Sequence, residues 1–536
     1  MRSLLIRSFI AFVMAAAIAG AQPSIAPTGV VNAASYATPG LPGSGIAQGS
    51  IFVIEGTGLG PDTLAPAPGV FPLPTSLAGT SVNVKAGGAV TQAIILYTSQ
   101  FQVGAIMPST VPVGNATVTV TYNDSTSKPV SIKVVASAFG VFAFNQGGVG
   151  QAVADDTKYR ANSIIHTFHP GDDVILWGTG IGRIKSSDAL APPVGNIGSV
   201  QVFVGNDPAT VSYHGRSGCC AGVDQIVFKV PSGVEGCYVP VGVEAGGVMS
   251  NVTTIAVSGS GETCSDSIIG SDLIAKLASG DPVSFGYIRL EEGLGGDFAV
   301  GTFSQFTPAI AGLAEYGVSL GYCSVCQSGT NSCGLGEVSD FSPAQLGAGT
   351  QITINGFGRT VPIPNANGGG FYFAILNPSD GSRYLWTGLS YTLAGTGGTQ
   401  IGEFSATDKL DSNAPLISFP GQGVTVPLKQ DLNVQWTGGS GKGVLTIGGI
   451  SFADSARTQY VAFQCAAPAT QSQFTIPKWV LSTLPPSAFL ANGNLQQPLG
   501  FIWIGQYDTP LTFQATGLDR GIVTNIFFLP REVQYK

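Results

Sequence analysis

The chain has 536 residues, 75 of them glycine and 34 proline, with 44% hydrophobic and only 10% charged residues. That composition is too apolar for a disordered chain and too rich in turn formers for a helical one, and the length allows three or four domains. A net charge of −8 without a basic cluster excludes a nucleic-acid partner, which requires grouped Lys and Arg.

In chain order, Arg2 and Arg7 precede an apolar run, Phe9 to Ala19, and the triplet Ala19-Gly20-Ala21. This pattern predicts an export signal over residues 1–21 and a mature N-terminus at Gln22. The run is too short to span a hydrocarbon core of about 30 Å, so no integral membrane segment is expected after its removal. The expected location is extracellular, cell-surface or periplasmic.

Two stretches then share one plan. Gly49 to Gly60 and Gly171 to Gly182 are each a hydrophobic strand running into a glycine turn. Each is followed by a proline-rich stretch, a Ser-Val-x-Val strand (Ser81 to Val84, Ser199 to Val202) and a strand ending in proline (Gln102 to Pro108, Gln225 to Pro231). Repeated units of short strands and turns predict tandem β-sandwiches over 28–137 and 140–258. In Ala116 to Tyr122, valine and threonine alternate, as in a strand with one buried face.

After the linker Ser258 to Gly261, a helix is expected over Ser271 to Leu277, stopped by Gly280 and Pro282. Strand patterns resume at Val283, and Asn413-Ala414-Pro415 divides the remainder into a β-rich module, 268–412, and a C-terminal β-sandwich, 413–536. The cysteines fall into two groups of four, Cys219, Cys220, Cys237 and Cys264, then Cys323, Cys326, Cys333 and Cys465. In an exported chain these are structural disulfide candidates. Adjacent Cys219 and Cys220 are expected not to bond each other, one pairing instead with Cys237 and the other with Cys264.

The runs Asn32-Ala33-Ala34-Ser35-Tyr36, Leu73-Pro74-Thr75-Ser76-Leu77, Ser217 to Gln225 and Gly236-Cys237-Tyr238-Val239-Pro240 resemble a paralogous family of exported proteins from acidobacteria of the Solibacter type. The C-terminal half is similar to a module found with these repeats, through Gly397 to Phe404, Val434 to Gly439 and Ala515 to Asp519. The resemblance implies immunoglobulin-like IPT/TIG sandwiches and carries no activity. The expected class is therefore all-β, with tandem immunoglobulin-like β-sandwich domains followed by a C-terminal β-sandwich region. Phe139-Gly140-Val141-Phe142 departs from the family's Pro-Gly-Ile-Phe, and no family pattern covers Cys323 to Cys333.

No chemical motif is complete. The two Gly-x-Gly-x-Gly turns lack the further glycine and the helix of a dinucleotide loop. Gly317-Val318-Ser319-Leu320-Gly321 matches a nucleophile elbow, but His166, His169 and His214 all precede the serine, against the chain order of that triad. His166 and His169, with Asp155, Asp156, Asp172 and Asp173 nearby, lack the third ligand and spacing of a zinc or calcium site. Cys323-Ser324-Val325-Cys326 is half a zinc ribbon, with no second close pair. Glu291, Glu292, Asp297, Glu403 and Asp408 are acids for which glycosidase chemistry would need a facing pair. Trp386, Trp436, Trp479 and Trp503 are the aromatics whose exposure would mark a sugar platform. No catalytic, cofactor or metal residue is expected. The sequence points to a non-enzymatic exported scaffold or adhesion protein whose partner is a cell-surface or matrix polysaccharide or protein. A carbohydrate-binding protein is the alternative and a hydrolase the more distant one.

Overall fold

The computed structural model describes residues 22–265, 270–293, 296–307, 318–328, 344–378, 381–410, 415–492, 495–507, 510–528 and 530–536. The export signal expected at 1–21 lies outside the described residues. Within them no helix is long and apolar enough to cross a membrane.

The first repeat comprises β1 Ser24–Asn32, β2 Ile51–Thr57, β3 Thr80–Ala86, β4 Ile94–Thr98, β5 Gln102–Ile106, β6 Gly114–Tyr122 and β7 Val130–Val135. They form two facing sheets, one containing β1-β2-β5-β4 and the other β7-β6-β3. Alternation in β6 turns Ala116, Val118 and Val120 inward, where they meet Phe52, Ile54 and Val103 of the opposite sheet.

The second repeat has β8 Asp173–Thr179, β9 Val200–Val204, β10 Asp207–Arg216, β11 Asp224–Lys229, β12 Gly236–Ala245 and β13 Thr253–Val257. Its registers reproduce the first. Ile51 pairs with Ile106 and Glu55 with Gln102, as Asp173 pairs with Lys229 and Trp177 with Gln225. Even the parallel contact Ile46 to Val134 recurs, as Phe168 to Val257. Val53 and Leu176 thus lie on equivalent strands. Gly58 and Gly180, in the turns that follow, both have positive φ, 66° and 109°, which a side chain would disfavour. One difference between the repeats is a crossing point. β10 pairs with β9 at one end and with β11 at the other, whereas in the first repeat Ala93 separates the segment on β3, Ala89–Gln92, from β4.

The C-terminal half begins with α1 Ser271–Ala278, whose Leu273, Ile274 and Leu277 pack on Tyr238 and Val283. Its strands are β14 Val283–Gly293, β15 Gly296–Phe306, β16 Cys323–Gln327, β17 Gln351–Gly356, β18 Arg359–Pro364, β19 Phe371–Ile375, β20 Ser390–Gly395 and β21 Phe404–Lys409. Beyond residue 412 the main ones are β22 Val444–Phe452, β23 Tyr460–Pro468, β24 Gly500–Tyr507, β25 Leu511–Phe513, β26 Arg520–Phe528 and β27 Arg531–Tyr535. One large sheet runs β16-β23-β22-β24-β26-β14-β15. Its centre is a parallel pairing of β14 with β26, from Phe285 opposite Arg520 to Gly293 opposite Phe528. A smaller sheet, β18-β17-β20-β21, faces part of it.

Strands from both sides of residue 412 therefore build each core. Phe513 and Val523 join Ile288, Ile354 and Tyr391 in one cluster. Cys323 and Val325 join Ile447, Phe463 and Ile502 in the other, which also takes in Leu41, Phe203 and Met249 of the repeats.

The disulfides correct the expected pairing. Cys219 bonds Cys220, Cys237 bonds Cys264, and Cys323 bonds Cys465. The physical reason is the length of β11. The loop with Cys219 and Cys220 joins β10 to β11 at the Arg216–Asp224 end, while Cys237 follows the turn at the Lys229 end, roughly 20 Å away at a strand rise of about 3.3 Å per residue. A disulfide needs Cα atoms within about 7 Å, so neither adjacent cysteine reaches Cys237. Cys326 is also disulfide-bonded. Cys333 lies outside the described residues.

Candidate functional site

The two repeats meet in a seam that sets buried polar contacts beside a small apolar cluster of Ile51, Ile94, Ile106 and Ala221. Arg216 and Asp224, both essentially inaccessible to solvent, form an ion pair at the end of the β10–β11 hairpin. Asp224 accepts the backbone N–H groups of Gly180 and Ile181 at 2.6 and 2.8 Å, fixing the glycine turn after β8. The other guanidinium nitrogen of Arg216 donates to the carbonyl of Gly49 in the first repeat and of Gly182 in the second. Thr179 Oγ1 accepts from the N–H of Ile51 and donates to the carbonyl of Gly222. Asn32 Nδ2 donates to the carbonyl of Ala138 at 3.1 Å, and Asp188 accepts both the N–H and the hydroxyl of Ser109. A buried charge is tolerated only when paired and hydrogen-bonded, so these bonds fix one relative placement of the two sandwiches.

Several residues singled out in the sequence are used structurally. His166 lies 3.6 Å from Asp156 and 3.7 Å from Glu262, and His169 contacts Asp172 and the carbonyl of Gly261. Both tie the 258–262 linker to the second repeat. Among the described residues no group of three or more His, Cys, Asp or Glu could hold a metal ion. Ser319 accepts the N–H of Tyr238 through its hydroxyl oxygen. Glu291 pairs with Arg289, Asp408 accepts from Asn525, and Glu403 is exposed. Trp436 and Trp479 are buried, the latter stacked on Phe203, and Trp503 packs across Gly448.

Trp386 is different, being 42% exposed at one end of the smaller sheet. Beside it lies the β17–β18 hairpin. Gly356 pairs with Arg359, which leaves Phe357-Gly358 as a two-residue turn with φ of 50° and 73°. Such a turn favours Asn or Gly at its first position, and a large aromatic at positive φ is an outlier. Yet Phe357 is 57% exposed, so it is not there to fill the core. Its ring centroid is 6.1 Å from that of Trp386, with the planes inclined by 36°.

The loop carrying Trp386 is anchored from beneath. Asp297, fully buried at the start of β15, accepts the N–H groups of Tyr384 and Leu385 at 2.6 and 2.8 Å. The Tyr391 hydroxyl accepts the N–H of Trp386 and donates to the carbonyl of Tyr384. Arg383 pairs with buried Glu292, and its guanidinium lies 5.6 Å from the Trp386 ring centroid. Burial pushes the Glu292 carboxyl up to about 7, opposed by Arg383 and reinforced by neighbouring Asp297. Glu292 and Asp297 are thus the facing acids that the sequence could not identify, and their contacts hold the loop in place.

Two exposed cations end the outer strands at this end of the sheet, on opposite faces. Arg359 stands two residues from Phe357 with its guanidinium 5.5 Å from the Tyr384 ring centroid, and exposed Lys409 ends β21 opposite Ser390. Among the described residues neither is in an ion pair. Sequence reading named Trp386 but missed Phe357, Arg359, Arg383 and Lys409, and missed the Arg216–Asp224 pair of the seam. The one available signal was Phe357-Gly358 between two alternating strands, an aromatic where a turn former belongs.

No protein-family model and no curated protein matches the chain. Among solved structures it is similar to domains 5–6 of the S-layer protein SbsC, at 13% identity over 45% of this chain and 100% of that one, with a TM-score of 0.17. It is similar also to the FN1–FN3 domains of chicken CNTN1, at 10% identity over 68% of this chain and 96% of that one, TM-score 0.17. Sidekick-1 immunoglobulin domains 1–4 are a third, at 11% identity over 92% of this chain and 97% of that one, TM-score 0.13. At these scores the likenesses carry no functional argument. The all-β tandem architecture rests on the strand pairings themselves.

Proposed function

We propose that the chain is an exported, non-enzymatic scaffold or adhesion protein, with repeats at 28–137 and 140–258 presenting a C-terminal β region to a cell-surface or matrix partner. The observation that supports this most is the buried seam of Arg216, Asp224, Thr179 and Asn32, because chains that only need tethered domains leave such interfaces small and mobile. A fixed spacing suits a protein that holds things apart or together. The disulfides suit an oxidising compartment. The close acid pair, Glu292 and Asp297, is occupied by Arg383 and two backbone N–H groups, which weighs against the hydrolase reading.

The test is fractionation of native cells together with deletion of the gene. The expected result is protein beginning at or near Gln22 in the surface or extracellular fraction, and weaker attachment of the deletion strain to surfaces or to other cells. Cytoplasmic protein retaining Met1, or attachment unchanged on deletion, would refute the proposal.

A further inference from the structure

We infer that the end of the smaller sheet around Trp386 and Phe357 is a binding site for uronic-acid-bearing polysaccharide. The inference rests on the reading of the chain as an exported binding scaffold and names the chemistry of its partner. Two exposed rings in contact, one on a hairpin tip in a disfavoured backbone conformation and one on a loop held by Asp297, Tyr391 and Arg383, form a platform whose orientation is set before any ligand arrives. One face of a pyranose ring is a patch of C–H groups, which lies well against such rings, while its hydroxyls and carboxylate project from the ring edge. Those edge groups need polar partners.

Here the charges decide the class. The chain is acidic, with 31 Asp and Glu against 23 Lys and Arg, so an exposed cation beside the rings runs against its net charge. Arg359 and Lys409 end the two outer strands of the four-stranded sheet β18-β17-β20-β21 at the end where Phe357 and Trp386 emerge, Arg359 on the face of Ile354 and Tyr391 and Lys409 on the opposite face. Arg359, two residues from Phe357, is the cation beside the rings. Arg359 presents a planar fork suited to a carboxylate. A neutral glycan would leave the Arg359 charge unused, and an apolar protein surface would have to desolvate it.

The site can be tested with the full mature chain and polygalacturonate or alginate oligosaccharides, with laminarin as the neutral control, by titration calorimetry and affinity electrophoresis. Binding to the uronates is expected to weaken about tenfold or more in Trp386→Ala and in Phe357→Ala, with unfolding temperatures unchanged because both side chains are exposed. Arg359→Ala should reduce uronate affinity and flatten its salt dependence. Failure to bind either uronate, equal binding of laminarin, or binding indifferent to the Trp386→Ala/Arg359→Ala double variant would overturn the inference. Surface-located protein that binds no uronate sinks this site and leaves the scaffold reading standing. Uronate binding by a chain retained in the cytoplasm does the reverse.

Discussion

The two halves of the molecule solve one packing problem in opposite ways. In the N-terminal half each sandwich fills its core from one continuous stretch, Ile25 to Val134 and then Phe139 to Val257, and the two finished bodies are joined by buried polar contacts and a small apolar cluster of Ile51, Ile94, Ile106 and Ala221. In the C-terminal half the cores exchange strands. β16 leaves its neighbours to pack with β23, while β25 and β26 return from the end of the chain to complete the core around Ile288 and Tyr391. The contrast teaches that a composition break such as Asn413 to Pro415 marks a structural unit only where contacts stay local in sequence.

The strongest way to break this comparison is truncation. A chain ending at residue 510 loses β25, β26 and β27, so residues 268–410 should show no cooperative thermal transition by calorimetry, while 22–265 should still melt as a unit. A cooperative transition from an isolated 268–412 fragment would overturn the contrast. Within the N-terminal half, Asp224→Ala leaves the Arg216 charge buried and unpaired, at a cost of about 3–5 kcal/mol in denaturant unfolding. Because the pair also fixes Gly180 and touches Gly49, the loss should make the repeats unfold as separate transitions.

Disulfides offer a third comparison. Replacing Cys237 and Cys264, separated by 27 positions, should cost about 3–4 kcal/mol through the restored entropy of the unfolded loop. Replacing Cys219 and Cys220 by serine should cost close to nothing in global stability, because adjacent residues enclose no loop. The smallest effect is that of pH on the C-terminal half. Glu292 rises from an ordinary 4.5 to about 7 on folding, so between those values the folded chain keeps a proton that the unfolded chain releases. Stability should be full below about 4.5 and fall by on the order of 2 kcal/mol as pH rises through about 7, a slope absent in Glu292→Gln.

These differences follow what was legible in the sequence. The repeats were, because glycine turns and two-residue alternation are local signals, and equal spacing carried the equivalence of β2 and β8. The β14–β26 pairing was not, since parallel partners so far apart leave no local trace. Cys219 and Cys220 were misassigned because spacing along the chain does not say at which end of β11 a loop will sit. For the uronate platform, Trp386 could be named as a residue to inspect, but its partners Phe357 and Arg359 come from a different hairpin.

The β14–β26 pairing also has a consequence in time. Phe285 and Arg520 are register partners about 235 residues apart, so at ribosomal speed β14 waits roughly 10 to 50 s for its neighbour to be made. Through that interval the strand presents a bare row of peptide groups, the kind of edge that recruits other chains. Arg289 and Glu291, an ion pair set along that strand, make it a poor template for an apolar intruder. β26 is therefore the segment that shuts the sheet, and a product truncated before it would carry an open edge.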